Sequence, residues 1–157
     1  MTAAIRPFQP DDLEAIKAIT IEGFTGVSVD HAIEKALGTV GDRDWKWRKA
    51  RHVDEDVTAD AAGIFVAEQD GEVVGYISTR MDAEAAKGRI PNLAVTANAR
   101  GQGIGRALIE HALAHFRTKG MEIAVIETME SNPIGQTLYP SCGFQEIARQ
   151  IHFAQRL

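Results

Sequence analysis

Asn92-Leu93-Ala94-Val95-Thr96-Ala97-Asn98-Ala99-Arg100-Gly101-Gln102-Gly103-Ile104-Gly105-Arg106-Ala107-Leu108 reads as strand, loop and helix in succession. Ile90 to Val95 is a short apolar run with strand character, and Thr96 to Arg100 is polar turn material. From Gly103 the spacing becomes helical, with Ile104, Leu108, Ile109, Ala112, Leu113 and Phe116 on one stripe. The helix is predicted to stop where Lys119 supplies a cationic last turn and Gly120 a residue free to take positive φ. The first turn of a helix leaves backbone N–H groups unpaired at its partly positive end, so a loop free of side chains there forms an anion cradle. Gly101, Gly103 and Gly105 permit close approach, and Arg100 and Arg106 add cationic donors. A phosphate or pyrophosphate suits this arrangement. The alternative is a glycine-rich turn that merely packs a helix tightly against a strand, because a lone glycine-rich match is weak evidence.

Two nucleotide-binding patterns fit poorly. A dinucleotide fingerprint needs a glycine at position 106, which is Arg, and belongs in the first strand-helix unit of a chain. A P-loop needs Gly-Lys-Ser/Thr before its helix, which is absent. Arg100-Gly101-Gln102-Gly103-Ile104-Gly105 instead resembles the Arg/Gln-x-x-Gly-x-Gly/Ala acyl-CoA signature of the GNAT superfamily, the acetyl-CoA-dependent N-acetyltransferases, and Leu93-Ala94-Val95 is similar to its central strand. Downstream, Asn132-Pro133-Ile134-Gly135-Gln136-Thr137-Leu138-Tyr139 followed by Gly143-Phe144 resembles that family's Asn-x-x-small-x-x-Leu-Tyr-x-x-x-Gly-Phe segment. Two signatures in the right order and spacing are far more specific than either alone, and with a looser upstream fit the resemblance covers nearly the whole chain. It implies an α+β fold of the three-layer α/β type: a mixed, mostly antiparallel sheet of six to seven strands flanked by about four helices.

Length and composition set the bounds. The 157 residues are enough for one α/β domain with a real core and too few for two ordinary ones, so residues 1–157 are expected to form a single domain that folds alone. A hydrophobic share of 45% and a charged share of 25% place the chain among globular proteins. The formal net charge of −5 argues against a nucleic-acid partner, which would call for a basic face. No apolar run approaches the roughly 20 residues of a membrane span, and the N-terminus lacks a signal-peptide layout. Cys142 is the single cysteine, so no internal disulfide or cysteine-based metal site is expected, and a cytoplasmic protein is the simplest inference.

Taken in order, Thr2 to Phe8 reads as a first strand ended by Pro7 and Pro10, and Asp11 or Asp12 then caps a helix carrying Leu13, Ile16, Ala18 and Ile19. A second helix is predicted from Asp30 to about Leu37, and Asp44 to Asp56 has a mixed-charge helical pattern. Trp45 and Trp47, two apart, cannot share a helix face: one belongs to the core and the other to an edge, the alternative being an aromatic wall of an acceptor pocket. Asp54, Glu55, Asp56 and Asp60 read as a solvated face in preference to a recognition site for a cationic amine. Gly63 to Glu68 and Val73 to Arg80 are strands joined by Gln69-Asp70-Gly71-Glu72, a hairpin signal. Asp82 to Lys87 is a helix-prone link, Glu122 to Glu127 a β-branched strand, and the strand-helix-strand unit implies a right-handed parallel crossover. Ser131 or Asn132 caps a helix with Pro133 at its first position, ending near Tyr139-Pro140, and Gly143-Phe144 opens a last strand running to about Ala154.

Acetyl transfer from a thioester to an amine needs a bound acyl-CoA, a neutral amine, stabilisation of charge on the carbonyl oxygen and a proton for the departing thiolate. The resemblance implies acetyl-CoA as cosubstrate. Its pyrophosphate would lie on the backbone from Arg100 and Gly101 through Gln102, Gly103, Ile104, Gly105 and Arg106, its pantetheine would run beside Leu93, Ala94 and Val95, and Asn132 would bond it from the far side. Tyr139 matches the family tyrosine near the CoA sulfur that acts as general acid, a role in which a phenol of pKa about 10 serves by placement more than by strength. The resemblance also leads us to expect a glutamate near position 92, where this chain has Asn92, which cannot titrate. Glu127 at the end of the next strand is the first candidate base, directly or through water, with Glu22 and His31 behind it. Cys142 as an acyl-carrying nucleophile and His111 with His115 as metal ligands are weaker readings than a small packed side chain and a solvated helix face. The function implied is transfer of acetyl from acetyl-CoA directly to a primary amine of a small molecule or a peptide or protein N-terminus; a non-catalytic acyl-CoA sensor is the alternative. No metal and no membrane are implied, and since homodimerisation is common in the family, a second copy is an expected partner.

Overall fold

The computed structural model describes residues 2–157. Strand β1 (Ala4–Pro7) is followed by three helices, α1 (Leu13–Gly23), α2 (Val29–Leu37) and α3 (Trp45–Asp60). The β meander then comprises β2 (Phe65–Gln69), β3 (Glu72–Ile77), β4 (Arg80–Asp82), β5 (Lys87–Ile90) and β6 (Leu93–Val95). Helix α4 (Ile104–Thr118), strand β7 (Ile123–Ile126) and helix α5 (Pro133–Ser141) complete the elements. The β2–β3 hairpin turns on Asp70 and Gly71, at φ 54° and 79°, the left-handed pair that its Asp-Gly dipeptide is suited to supply.

The strands form two sheets. The first has the antiparallel order β1-β2-β3-β6, and the second the order β4-β5-β7, with β4 antiparallel and β7 parallel to β5. They join where Pro91 and Asn92 interrupt the long β5–β6 run: the Ser78 amide donates to the Asn92 carbonyl at 2.9 Å, and the Asn92 amide donates to Ser78 Oγ at 3.1 Å. Core side chains divide by face. Phe65, Ala67, Ile77 and Ile90 pack under the α4 stripe of Ile104, Leu108, Ile109, Ala112 and Phe116. Val66, Tyr76 and Ala94 pack against Ile16 and Ile19 of α1 and Val53 of α3.

Two expected elements differ. Asp82 to Lys87 is not helical: Asp82 Oδ1 accepts from the Ala85 amide at 3.0 Å and Ala86 adopts φ 52°, closing a β4–β5 turn. Six residues are too few for alanine propensity to hold a helix against that local bond. Residues 143–157 form no strand. The chain leaves α5 through Gly143 at φ 96°, and Arg149 lies 2.7 Å from Glu146 and 3.2 Å from Glu130; alternating side chains do not make a strand without a backbone partner. No helix among the described residues is long and apolar enough to cross a membrane.

Candidate functional site

The parallel pairing of β5 and β7 ends at Ile90–Ile126. Beyond Asn92 the chain pairs only with β3, while β7 ends at Ile126 and the chain continues through Glu127 toward α5, so the two segments part and leave a wedge between them. The bonds from the Ser78 amide to the Asn92 carbonyl and from the Thr96 amide to the Val74 carbonyl, at 2.9 and 2.8 Å, assign the even-numbered residues of β6 to the β3 ladder. Antiparallel geometry then turns the N–H and C=O groups of Leu93 and Val95 to the opposite edge, into the wedge. Arg100 reaches one of them, its Nε donating to the Val95 carbonyl at 3.2 Å.

At the floor of the wedge lies the first turn of α4. Gly101 and Gly103 adopt φ 76° and 80°, and a Cβ on either would meet open space, so both are glycine for conformation and for access. The first helical bond is from the Ala107 amide to the Gly103 carbonyl at 3.0 Å; among the described residues the amides of Gly101 through Arg106 make no backbone bond. These are the unpaired donors an anion needs. The Arg106 guanidinium is turned away, donating to the Ser141 carbonyl at 3.0 Å and Ser141 Oγ at 2.8 Å, while a Cβ on Gly105 would meet Leu138 at 3.2 Å. Arg106 and Gly105 therefore fasten α5 onto the cradle. Gln102 Oε1 accepts from Gln69 Nε2 at 2.9 Å.

That clamp sets Tyr139, in the last turn of α5, at the inner side of the helix, its ring edge-on to Phe144 at 6.2 Å. Burial pushes its phenol up to about 12, so the hydroxyl keeps its proton at neutral pH. Asn132 occupies the N-cap position of α5 but makes no cap bond; its Nδ2 donates to Thr128 Oγ1 at 3.0 Å. Glu127 is exposed at the end of β7 and lies 3.4 Å from Arg89 Nε. The structure thus gathers Leu93, Val95, the cradle and α5 with Tyr139 around one wedge. Glu127 stands at its β7 edge, paired with Arg89 and not with Tyr139.

The sequence reading missed a buried polar network on the opposite face. Asn92 is buried; its Oδ1 accepts from Lys49 Nζ at 2.8 Å and its Nδ2 donates to Asp56 Oδ2 at 2.6 Å. Asp56, also buried, accepts from Arg80 Nη2 at 2.9 Å, which corrects the solvated-face reading of that acidic cluster; Asp54 pairs with Lys17 at 2.8 Å. Lys49 Nζ sits 4.0 Å from the Phe24 ring centroid and 3.3 Å from His52 Nδ1, whose Nε2 lies 3.4 Å from Asp30. Burial pulls the Lys49 ammonium down to about 8, and burial followed by the Lys49 charge lowers His52. The signal was present: Trp45, Lys49, Val53 and Asp56 fall on one helical stripe, which forces its polar members inward with its apolar ones.

The lesser candidates have local roles. Glu22 Oε1 accepts from the Ala97 amide at 2.7 Å. His31 stacks on Trp45 at 4.4 Å, with Nδ1 accepting from the Gly26 amide at 2.7 Å, so Trp45 is the core tryptophan. Trp47 lies at the surface between Arg43 and Arg51, 4.5 and 4.9 Å from its ring. His111 and His115 both turn toward the Phe65 ring, at 4.4 and 5.1 Å, and no metal-holding group of His, Cys, Asp or Glu forms among the described residues. Cys142 is a free thiol packed beside the core.

Residues 28–144 match the model of the acetyltransferase (GNAT) family. A mycothiol acetyltransferase of Thermobispora bispora is 30% identical over 146 residues, which cover 89% of this chain and 45% of that protein. An N-alpha-acetyltransferase of Sulfurisphaera tokodaii is 33% identical over 103 residues, covering 59% of this chain and 62% of the relative. The chain thus spans less than half the length of the mycothiol acetyltransferases it matches. In fold it is similar to the PaiA N-acetyltransferase of Thermoplasma acidophilum crystallised with coenzyme A, at a TM-score of 0.73 and 19% identity over 92% of this chain and 91% of that one.

Proposed function

The chain belongs to the acetyltransferase (GNAT) family, whose members take acetyl from acetyl-CoA, and on that premise we propose that it passes acetyl directly to a primary amine of a small molecule or of a peptide or protein N-terminus. The observation that carries this is the wedge itself. The outward-facing edge of Leu93, Ala94 and Val95 leads down to the unpaired amides of Gly101, Gln102, Gly103, Ile104, Gly105 and Arg106, an extended ladder ending in an anion site. In our reading the pantetheine amides bond the strand edge, the pyrophosphate takes the cradle amides with Arg100 beside it, and Asn132 bonds the cosubstrate from the α5 side. The relatives named for mycothiol and for α-amino acetylation support both acceptor classes.

In the proposed reaction the neutral amine nitrogen attacks the thioester carbonyl carbon, the carbon–sulfur bond breaks, and the thiolate takes a proton from Tyr139. Tyr139 is suited to this as the protonated phenol at the inner side of α5. The proton lost by the attacking nitrogen goes to Glu127, directly or through water, in a carboxylate that solvent reaches. The second reading, an acyl-CoA sensor without transfer, draws on Asn92, whose amide is committed to Lys49 and Asp56 where the family resemblance leads one to expect an acid.

The test is free-thiol release from acetyl-CoA across polyamines, aminoglycosides, amino acids and short peptides, each against a blank without acceptor. Acceptor-dependent release establishes the activity and its substrate class. Saturable acetyl-CoA binding with no release on any amine would favour the sensor.

A further inference from the structure

Trp47 belongs to neither core cluster and takes no part in the wedge. Arg43 and Arg51 lie four residues before it and four after, their guanidinium carbons 4.5 and 4.9 Å from the ring centroid, so the half-buried indole is held between two cations. Arg43 stands at the end of a fixed turn: Gly41 and Asp42 adopt φ 61° and 57°, and the Arg43 amide donates to the Val40 carbonyl at 3.2 Å. Arg48 Nη2 donates to the same carbonyl, and Lys46 is exposed on the neighbouring turn of α3.

Two features set this cluster apart from an ordinary solvated face. Among the described residues no carboxylate pairs with Arg43, Lys46, Arg48 or Arg51, although the chain carries a net charge of −5. The charge order along α3 also runs against its dipole, with Lys46, Arg48, Lys49 and Arg51 in the first two turns and Asp54, Glu55, Asp56 and Asp60 in the last two. A helix favours the reverse, because its N-terminus is partly positive and its C-terminus partly negative. Only Asp44, at the N-cap and accepting from the Trp47 amide at 2.9 Å, follows that preference. Lys49 and Asp56 are accounted for by Asn92; the outward cations are not, and a local rule broken without internal compensation is expected where a function retains it.

We propose that this face of α3 docks an acidic peptide segment of a protein partner, its carboxylates taken by the Arg43 and Arg51 guanidiniums with Lys46 beside them. A guanidinium meets a carboxylate with paired N–H donors, and stacking on Trp47 holds both guanidiniums in place before the ligand arrives, so less side-chain entropy is lost on binding. A single-stranded nucleic acid is the other polyanion a basic patch invites, and two observations weigh against it. Its bases need an open aromatic face, and the guanidiniums cover that of Trp47. Its phosphates would also run past the patch, which from Arg43 to Arg51 spans roughly 12 Å, onto a chain whose net charge is −5. An extended peptide of about four residues fits within that length. The site stands apart from the wedge: α3 turns Lys49 inward to Asn92 and Trp47 outward, so the acetyl-CoA reading and this one fail separately.

The experiment uses the full chain and a fluorescein-labelled deca-glutamate peptide, with labelled oligouridine of equal length in parallel, and follows anisotropy at low ionic strength. Saturable binding of the peptide is expected, weakened at least about tenfold by Arg43→Glu with Arg51→Glu. Lys87→Glu with Arg117→Glu reverses the same charge at two other exposed cations and should weaken it less than about twofold. Trp47→Leu keeps the cations and removes the ring that orders them, and should weaken binding severalfold. Arg43 and Arg51 are exposed, so their replacement leaves the core intact, which circular dichroism checks. A wild type that does not bind the peptide saturably overturns the proposal, and so does an equal loss in both charge-reversal pairs, which would assign the binding to net charge. Tighter binding of oligouridine than of the peptide overturns it too, making the patch a nucleic-acid surface, and full affinity in Trp47→Leu removes the stacked clamp on which it rests.

Discussion

Lys49→Met tests the buried polar network around Asn92. The substitution keeps the long apolar stem and removes the ammonium. In the folded chain that ammonium is held down to about 8, against an ordinary 10.5, chiefly because burial strips its water. Below pH 8 both folded and unfolded chains hold the proton, and the folded state bears the whole cost of the desolvated charge. Between 8 and 10.5 the folded chain gives up its proton first, the unfolded chain binds more protons, and stability rises with pH. The difference between 10.5 and 8 corresponds to roughly 3 kcal/mol at 1.36 kcal/mol per pH unit, of which about 2 kcal/mol is recovered between pH 7 and pH 9.5. Urea unfolding of wild type and Lys49→Met at intervals across that range should show the wild type gaining about 2 kcal/mol on the variant. Parallel curves would refute the desolvated charge. A wild type that loses ground as pH rises would mean that Asp30 and Asp56 dominate, holding the ammonium charged.

The remaining predictions concern the wedge. Tyr139→Phe should lower kcat more than tenfold with little change in acetyl-CoA affinity, measured by thiol release and by titration calorimetry; unchanged turnover removes Tyr139 from proton transfer. Gly103→Ala puts a Cβ at φ 80°, a left-handed strain of about 1–2 kcal/mol, and points it into the space above the cradle amides. It should weaken acetyl-CoA binding at least tenfold, and an unaltered Kd would place the cosubstrate elsewhere. Glu127→Gln should lower kcat/KM for the amine at least tenfold with acetyl-CoA affinity kept if Glu127 takes the amine proton; a variant with wild-type turnover assigns that role to another group.

Much of the fold could be read directly. The α4 stripe from Ile104 to Phe116 is buried as its spacing requires, and Lys119-Gly120 ends the helix with Gly120 at φ 82°. Asp70-Gly71 makes its hairpin. These features depend on neighbours within a few residues, where periodicity, φ preference and turn chemistry are local facts. Arg106 shows the limit: the sequence marks it as a cation beside an anion cradle, but only the packing of α5 on α4 turns its guanidinium to Ser141. The acidic run from Asp54 to Asp60 is similar, since α1 and the strand break, both far along the chain, decide which carboxylate is buried.

What the sequence determined alone is therefore the run of strand, cradle and helix from Leu93 to Thr118 and the hairpin before it, because each is set by the residues it contains. Tertiary structure alone decided three things. It buried the Asn92 side chain just after the break that Pro91 makes in the Ile90–Val95 run, because that amide finds Lys49 and Asp56 on a helix more than thirty residues away in sequence. It brought α5 onto the first turn of α4, because Gly105 leaves room for Leu138. And it left residues 145–157 without a strand partner, because a strand is not a property of its own residues: its backbone needs a second edge, and only the assembled molecule says where that edge is.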